Sequence, residues 1–397
     1  MMHINADGWE IYEESVRSRY VSIENGKIKM IGEKKDSGKA LRVIKNGRTA
    51  MVSGKTISHD LIDRAIKIAR ISEERLQEFP ERKRLKDVKV YGIKLDDFDE
   101  NAIGDAGERL EIEGVSSAYF YVEEIVRRIE NSNGVDYEER ESCAGVFVEA
   151  VVDGGNAYEY QESRRFDFEP EKIAERAIEL ARIDSRAEKI DTGKYSVTLS
   201  PIAVDQLLTF SLYPAFYTEN IKKGRSLLSE FMGKSVLGDL TITDDPEIDY
   251  GINSCSFDDE GVRAEKKILV EKGVIKGGIS DLIHADGFPT GNGFREDYSS
   301  YPATSPTNMV LDFPERGDAE GMYIHAFIGA HTANYVSGDF SLELMNASVD
   351  GKGIKGAMIY GNIYEFLRKI SHFGRDVRQT GNTITPEIVF EDIEIKI

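Results

Sequence analysis

The sequence contains little cysteine, and it has no long apolar segment. Its two cysteines, Cys143 and Cys255, are too few for a disulfide scaffold, so a reducing compartment is the default expectation. No run of consecutive apolar residues reaches the ~18 that a transmembrane helix needs. The N-terminal residues also lack the basic and apolar regions of a signal peptide. We therefore expect a cytoplasmic protein that has no membrane partner.

Basic residues are also in deficit. The 397 residues include 71 acidic and 51 basic side chains, and the formal net charge is −20. A surface this acidic repels the phosphates of nucleic acids, whose binding requires a concentrated basic face. The composition predicts a soluble globular protein with two or three domains and no nucleic-acid partner.

Nucleotide and zinc motifs are missing as well. The glycine-rich stretch HADGFPTGNGFRE occupies residues 284–296, but Gly293 is not followed by the Lys-Ser or Lys-Thr of a P-loop. Glu296 stands where a dinucleotide fingerprint requires its third glycine. None of the six histidines is followed by glutamate, so the sequence contains no H-E-x-x-H zinc helix.

Two histidines could still bind a metal in another way. His325 and His331 would lie on one side of a strand if that strand ran unbroken, and Asp339 or Glu343 could complete the set. Their spacing matches no known template. Hydrogen-bonded, partly buried histidines are the alternative interpretation.

Cys255 and the acidic run that follows it are further candidates. Cys255 could act as a nucleophile if a histidine came near it, but a buried structural cysteine is the alternative. Asp258, Asp259 and Glu260 could include a catalytic carboxylate pair. The same letters, followed by an alternating segment, also predict a turn that enters a hairpin.

An internal repeat organises the first half of the chain. RAIKIARIS (64–72) matches RAIELARID (176–184). Each is preceded by Ile-Glu-Asn, a glycine turn, a charged strand, a break that contains serine and glycine, and an apolar strand. Asn25-Gly26 and Asn46-Gly47 predict two-residue hairpin turns, because both central residues of such turns need positive φ. The repeat predicts two α+β units.

Helix signals accompany each copy of the repeat. The first helix is predicted at about residues 58–71, with Ser58 as its N-cap, and the second has Pro170 in its first turn. Between the copies, the charged segment around Pro80 predicts a linker. After residue 195, Lys272-Gly273 and Asp350-Gly351 indicate further hairpins.

These signals together predict an α+β fold with three domains. Duplicated helix-plus-hairpin-sheet units occupy residues 1–78 and 100–190, and a larger strand-rich C-terminal domain occupies residues 195–397.

The order of motifs in the C-terminal half resembles a known family. SPIAVDQLL, IKKGRSLLSEFMGKSV, ITDDP, SFDDEGV, ILVEKGVIKGGI, PTGNGFRE, HTANYVSGDFSLEL and IYGNIYEFL occur in the order of the TldD/PmbA, or modulator-of-DNA-gyrase, family of peptidase-related proteins. The resemblance covers the whole chain and is dense after Ser200. It implies two smaller N-terminal parts and a large C-terminal part.

The TldD branch of that family carries H-E-x-x-x-H on a helix and a cysteine near the C-terminus, which together hold zinc. An ungapped match places Thr209 and Pro214 at the two histidines, Phe210 at the glutamate and Arg378 near the cysteine. We expect Phe210 to pack in the core. The resemblance is therefore to the PmbA/TldE branch, and it implies no metal, no cofactor and no catalytic residue of its own.

The glycine-rich stretch resembles the signature loop of the family. Gly291 and Gly293 would allow special backbone angles. The resemblance implies that Thr290, Asn292 and Arg295 lie at a substrate groove or a subunit contact. The alternative for Arg295 is a simple ion pair with a neighbouring acid.

His331 and Asn334 are further candidates for the same groove or subunit contact. The resemblance implies a metal-free subunit of a TldD/TldE-type peptidase, acting on extended or unfolded peptides. Its partner would be a TldD-like zinc-bearing subunit or a second copy of itself. A stand-alone peptide-binding protein and a hydrolase with an unrecognised active site are the alternatives.

Overall fold

A six-stranded antiparallel sheet forms the N-terminal part of the protein. The computed structural model describes residues 4–397, so the first three residues of the predicted first unit lie outside it. The strands run in the order β3-β2-β1-β4-β5-β6. They are β1 (Gly8–Glu24), β2 (Lys27–Lys45), β3 (Arg48–Gly54), β4 (Val115–Asn131), β5 (Asp136–Val152) and β6 (Gly155–Ser163), and the helices are α1 (His59–Ile71), α2 (Glu100–Glu108) and α3 (Pro170–Asp184). Three strands followed by a helix thus occur twice, and β1 pairs with β4 where the copies meet.

Local signals predicted the turns and caps of this part correctly. Asn25-Gly26 and Asn46-Gly47 join consecutive strands, and all four residues have positive φ between 51° and 69°. The Ser58 side chain accepts a hydrogen bond from the backbone N–H of Leu61 and caps α1. Pro170 is the first residue of α3. The boundaries of the three domains stay a prediction.

The predicted break inside each long strand is wrong. β2 runs through Ser37-Gly38, and β5 runs through Ser142–Gly145. A Cβ on Gly38 would lie 2.2 Å from the ring of Tyr298, and a Cβ on Gly145 would lie 2.4 Å from the ring of Tyr121. The glycines therefore make room for aromatic rings from elsewhere in the fold, and the strands continue.

One face of the sheet is covered by helices, and the other is partly open. Along β4 the side chains of Ala118, Phe120 and Val122 are buried in one cluster with residues of α2 and α3. The alternate residues point to the opposite face, because successive side chains of a strand alternate. Tyr119 is 40% exposed on that second face.

The C-terminal part contains two larger sheets around one core. Five strands pair into a closed ring, in the order β14, β7, β21, β17, β15 and back to β14. β16 and β18 extend the ring, and β10-β9-β8-β13-β20-β19 forms the second sheet. The predicted α+β class is confirmed, with a strand-rich C-terminal part. No helix within residues 4–397 is long and apolar enough to cross a bilayer.

The C-terminal elements in chain order are β7 (Gly193–Leu199), α4 (Pro201–Ser211), α5 (Thr218–Lys222), α6 (Leu228–Phe231), β8 (Thr241–Asp244), β9 (Lys267–Glu271), β10 (Val274–Ile275), β11 (Gly293–Phe294), β12 (Ala303–Thr304), β13 (Met309–Asp312), β14 (Met322–Ile328), β15 (Asp339–Val349), β16 (Lys352–Ile354), β17 (Met358–Asn362), α7 (Ile363–Phe366), β18 (Ile370–Phe373), β19 (Arg378–Thr380), β20 (Thr383–Thr385) and β21 (Ile388–Lys396). Lys272-Gly273 and Asp350-Gly351 form the predicted turns, again with positive φ.

Buried ion pairs join the N-terminal sheet to the C-terminal part. The Arg42 guanidinium donates to Glu10 at 2.8 Å and to Glu260 at 2.6 Å, and all three side chains are at most 1% exposed. Arg127 on β4 donates to Asp259 at 2.7 Å. Because an unpaired buried charge costs several kcal/mol, these pairs fix how the two parts meet.

Replacing Arg42 by alanine is expected to destabilise the protein strongly. Arg42→Ala leaves the buried Glu260 carboxylate without its guanidinium, and removing one partner of a buried pair costs about 3–5 kcal/mol. Arg128→Ala is the matched control, because the Arg128–Asp136 pair is largely exposed and should contribute less than ~1 kcal/mol. Urea unfolding measures both variants. Equal losses of unfolding free energy in the two variants would show that burial does not determine how much the Arg42 pairs stabilise the protein.

Candidate functional site

Helix α4 carries two of the positions at which the resemblance implies zinc chemistry. Ser200 caps the helix by accepting a hydrogen bond from Ala203 N–H, and Pro201 is the first helical residue. The helix ends at Ser211, and Pro214 lies in a separate 3₁₀ turn, Tyr213–Phe216. Thr209 and Pro214 therefore do not share one helix.

The expectation that Phe210 packs in the core is wrong, because its side chain is 39% exposed. The buried residues of α4 recur at Ala203, Val204, Leu207 and Leu208, with helical spacing. Position 210 falls about 90° from the centre of this buried face, outside it. The outward stripe of α4 consists of Asp205, Gln206, Thr209 and Phe210.

The α4 stripe faces the end of β6 and strand β20. Asp205 accepts a hydrogen bond from the Thr383 hydroxyl at 2.7 Å, and Gln206 donates to the Tyr158 hydroxyl at 2.8 Å. Burial raises the pKa of Asp205 from 3.8 to about 6. Burial, together with the nearby charge of Asp205, raises the pKa of Tyr160 well above its usual range. The stripe is thus a polar, partly buried contact between the two parts of the chain.

Arg378 lies on β19, where the resemblance implies a cysteine ligand. Its guanidinium donates to the Glu159 carboxylate at 2.8 Å and also to the Tyr160 carbonyl. The same guanidinium lies 5.8 Å from the centre of the Tyr160 ring. A cation fixed to the sheet edge therefore occupies this position.

A cavity of about 490 Å³ opens beside Arg378. Its lining includes Glu159, Arg176, Tyr323, His325 and Glu387. His325 Nε2 contacts the Tyr158 carbonyl at 3.0 Å, and its Nδ1 has no hydrogen-bond partner within residues 4–397. Burial lowers the pKa of His325, so the ring is neutral, with Nε2 as the donor and Nδ1 as a free acceptor.

Of the predicted loop residues, Thr290 and Asn292 contact each other, and the side chains of Asn292 and Arg295 are buried. Asn292 is fully buried and donates to the Asp244 carboxylate and the Ser305 carbonyl. The Thr290 hydroxyl contacts the Ser280 backbone and the Asn292 side chain.

The Arg295 side chain is 0% exposed and donates to Glu10 at 3.1 Å. The interpretation of Arg295 as an ion-pairing residue fits this geometry. A groove or subunit role for Thr290, Asn292 and Arg295 stays a prediction.

The two other predicted contact residues lie elsewhere. β14 ends at Ile328, Gly329 turns the chain with φ of 82°, and exposed His331 lies in the following 3₁₀ turn. His325 and His331 are therefore not on one strand. Asn334 accepts from the Val336 backbone N–H within an exposed turn. A groove or subunit role for His331 and Asn334 stays a prediction.

Cys255 and the acidic run are structural in this geometry. Cys255 is 2% exposed, and burial raises the pKa of its thiol well above the usual range, which disfavours the nucleophilic thiolate. Asp258 accepts hydrogen bonds from the backbone N–H groups of Glu260, Val262 and Gly293. The acids form the predicted turn and also hold the signature loop.

Comparison with known proteins decides the family. Profiles described as PmbA/TldA metallopeptidase domain 1, central domain and C-terminal domain match residues 9–70, 62–184 and 192–397. An uncharacterized protein of Methanocaldococcus jannaschii is 32% identical over 97% of this chain and 96% of its own length. The chain belongs to the PmbA/TldD family.

Other relatives agree with the PmbA/TldD assignment. A metalloprotease TldD homolog of Buchnera aphidicola is 29% identical over 51% of this chain and 45% of its own length. The crystal structure of a proposed modulator of a DNA gyrase from Thermotoga maritima has a TM-score of 0.87 at 25% identity, covering 98% of this chain and 96% of that chain. TldE from Thermococcus kodakarensis has the same fold, with a TM-score of 0.87 at 22% identity over 98% and 97% of the two chains.

Zinc does not fit the residues at the positions that the PmbA/TldD resemblance marks. A catalytic zinc needs three nitrogen, sulfur or carboxylate ligands and one open position. Thr209 offers only a hydroxyl, Pro214 offers no side-chain donor, and Arg378 is itself a cation. Within residues 4–397, no group of three or more His, Cys, Asp or Glu side chains is arranged to hold a metal ion.

Sequence reasoning missed the Glu159–Arg378 pair and the His325 cavity. Glu159 and Arg378 are 219 residues apart. Neither residue stands in a local motif that predicts the other, because Glu159 belongs to an ordinary alternating strand.

Replacing Asp205 is expected to change how stability depends on pH. The pKa of Asp205 is about 6 in the folded chain and about 3.8 in the unfolded chain. The contribution of Asp205 to folding stability is therefore fully present below about pH 4 and is lost as pH rises through 6. Asp205→Asn removes this loss and should stabilise the chain at pH 7, relative to pH 4, by on the order of 2 kcal/mol. Thermal or urea unfolding at pH 4, 5, 6 and 7 measures the difference from the wild type. A pH-independent difference would contradict the assignment.

Proposed function

We propose that the chain is a non-catalytic, metal-free, TldE-like subunit of a TldD/TldE-type metallopeptidase that acts on extended or unfolded peptides. The observation that carries the proposal is the set of side chains at the marked positions. Threonine, phenylalanine, proline and arginine stand where zinc ligands and a general base would be needed.

The geometry around those positions supports the proposal. The end of α4 at Ser211 separates Thr209 from Pro214. Arg378 is held by Glu159 at 2.8 Å, so a divalent cation at this place would meet a fixed positive charge. Hydrolysis in the proposed complex then depends on a partner subunit with its own zinc site.

The proposed ligand is an extended peptide because the chain consists largely of sheets. Sheet edges and faces bind extended peptides through main-chain pairing and alternate side-chain contacts. The TldE of Thermococcus kodakarensis shares the fold over nearly the whole chain, which is consistent with this role.

Mixing this chain with a TldD-type partner that carries H-E-x-x-x-H tests the proposal. We expect a stable complex that cleaves an unstructured peptide at least about tenfold faster than either chain alone, a barrier difference of about 1.4 kcal/mol. Mutating the glutamate of the partner motif should abolish cleavage. Thr209→Ala in this chain should leave the rate within about twofold, because Thr209 supplies no catalytic group in the proposal.

Cleavage by this chain alone at the rate of the mixture would overturn the proposal. A chain that neither binds nor stimulates any TldD-type partner would also overturn it. Size-exclusion chromatography with light scattering distinguishes a heterodimer from a homodimer.

Purified protein is expected to contain no stoichiometric zinc by elemental analysis, with a TldD-type protein purified in parallel as the control. The triple variant Thr209→His, Phe210→Glu, Pro214→His should bind zinc only weakly and should be inactive. It supplies two histidines that do not share a helix, and a catalytic site needs three ligands. Arg378→Cys is the minimum further change. Zinc-dependent cleavage by the triple variant alone would show that the assigned positions are mistaken.

A further inference from the structure

The open face of the N-terminal sheet carries two neighbouring groups of aromatic rings. We call this surface the aromatic face, and its residues are Tyr20, Tyr119, Tyr121, Phe147, Tyr158 and Tyr160. They come from four strands, β1, β4, β5 and β6. Strand pairing places Tyr119 opposite Phe147 and Phe147 opposite Tyr160, so the rings form rows across the sheet.

Rings within each group lie close together, and Tyr119 and Phe147 are the exposed members. Tyr20 and Tyr119 have centroids 5.4 Å apart, Tyr119 and Tyr121 are 5.9 Å apart, and Phe147 and Tyr158 are 5.8 Å apart. Tyr119 and Phe147 are each 40% exposed. An exposed group of large rings on a soluble protein is a common mark of a binding surface.

Acidic side chains border these rings. The Tyr121 hydroxyl donates to the Glu162 carboxylate at 2.6 Å. Tyr121, Glu123 and Glu162 line a cavity of about 270 Å³ at the same end of the sheet. Glu123 has an elevated pKa because it is partly buried and because Glu141 and other carboxylates surround it, although Lys34 faces it from β2.

The neighbouring arginines are already paired. Arg127 and Arg164 contact both oxygens of the buried Glu141 carboxylate at 2.9 Å and 2.7 Å. Arg164 also donates to the backbone carbonyls of Gly251 and Ile252 in the C-terminal part. Within residues 4–397, Glu123 and Glu162 form no ion pair with these arginines. Burial without a paired cation raises the pKa of Glu123, so a cationic ligand at this place would favour its charged form.

We propose that the aromatic face binds an extended peptide through its lysine and arginine side chains. Cations bind to the faces of tyrosine and phenylalanine rings, and carboxylates beside the rings strengthen this attraction. A second copy of the chain fits less well than a basic peptide, because both faces would be acidic and neither would supply the cation that the rings and carboxylates attract. The overall charge of −20 also disfavours an acidic partner.

The aromatic face leads directly to the α4 stripe. Tyr158 accepts from Gln206, and the Tyr160 ring lies beside Arg378. A peptide on the aromatic face would therefore run toward the positions that the family uses for zinc. That the ligand is a peptide rests on the proposed function, whereas its basic character rests on the rings and carboxylates.

Fluorescence anisotropy with short unstructured peptides tests this inference on the purified full chain. Three labelled peptides of equal apolar content carry lysine, glutamine or glutamate at alternate positions. We expect the lysine peptide to bind at least about tenfold more tightly than the glutamine peptide, with affinity that falls as salt rises, and the glutamate peptide not to bind.

Two sets of variants separate the rings from the charges. Glu123→Gln with Glu162→Gln should weaken lysine-peptide binding about tenfold with little change in shape, whereas Glu175→Gln on the exposed side of α3 should not weaken it. Tyr119→Ala with Phe147→Ala should weaken all peptide binding. Tyr360→Ala is its control, because that ring is 45% exposed on the C-terminal part. If circular dichroism shows that the ring variant, Tyr119→Ala with Phe147→Ala, does not fold, the variant Glu123→Gln with Glu162→Gln alone tests the proposal.

Equal affinity for the lysine and glutamate peptides would overturn the proposal. Loss of self-association in the ring variant, with no change in peptide binding, would also overturn it and identify the face as a subunit contact. The assay needs no partner and no cleavage. A failure here therefore leaves the proposed subunit role standing, and a failure of partner stimulation leaves the peptide-binding result standing.

Discussion

Buried pairs between arginines and carboxylates determine how the two parts of the chain fit together. Each charge that leaves water costs several kcal/mol, so the contact is stable only where every guanidinium meets its carboxylates. In each cluster of ion pairs, some residues come from the N-terminal sheet. The others come from the SFDDEG turn or the TGNGFR loop. The residues involved are Glu10, Arg42, Arg127, Asp259, Glu260 and Arg295. The signature loop of the family thus acts here as a structural joint.

This joint lies at one end of the N-terminal sheet, on the face that the helices leave uncovered. The other end of the same face stays open. Tyr12 and Arg42 are buried against the C-terminal part, while Tyr119 and Phe147 on the same face stay accessible. At the β6 edge, His325, Gln206 and Arg378 from the C-terminal part contact the sheet. The open end, the α4 stripe and the cavity therefore adjoin one another because the joint holds the sheet in this orientation.

Local chemistry allowed much of the fold to be predicted, and long-range packing decided the rest. Asn25-Gly26 and Ser58 act within a few residues, so their turn and cap could be read from the sequence alone. Gly145 is different: its partner is the Tyr121 ring on the next strand, and a local reading mistook it for a break. Phe210 was misplaced because an apolar residue near the end of a helix can face either way. The positions marked by the resemblance were named from the sequence and stay a prediction, whereas the partners of Arg378 could not be named because they lie 219 and 218 residues away.

The Glu159–Arg378 pair links two strands at the place where the family resemblance marks a metal ligand. A metal site crosslinks the elements that supply its ligands, and its loss would leave those elements without that link. Here the guanidinium of Arg378 joins β19 to β6 through the Glu159 carboxylate and the Tyr160 carbonyl, and it lies 5.8 Å from the centre of the Tyr160 ring. Such a pair is worth more where solvent is partly excluded, as it is around Glu159. Arg378→Cys would remove this link and leave the buried Glu159 carboxylate with only the Tyr160 N–H and the nearby His325 ring, a cost that a metal bound to the introduced thiolate would have to offset.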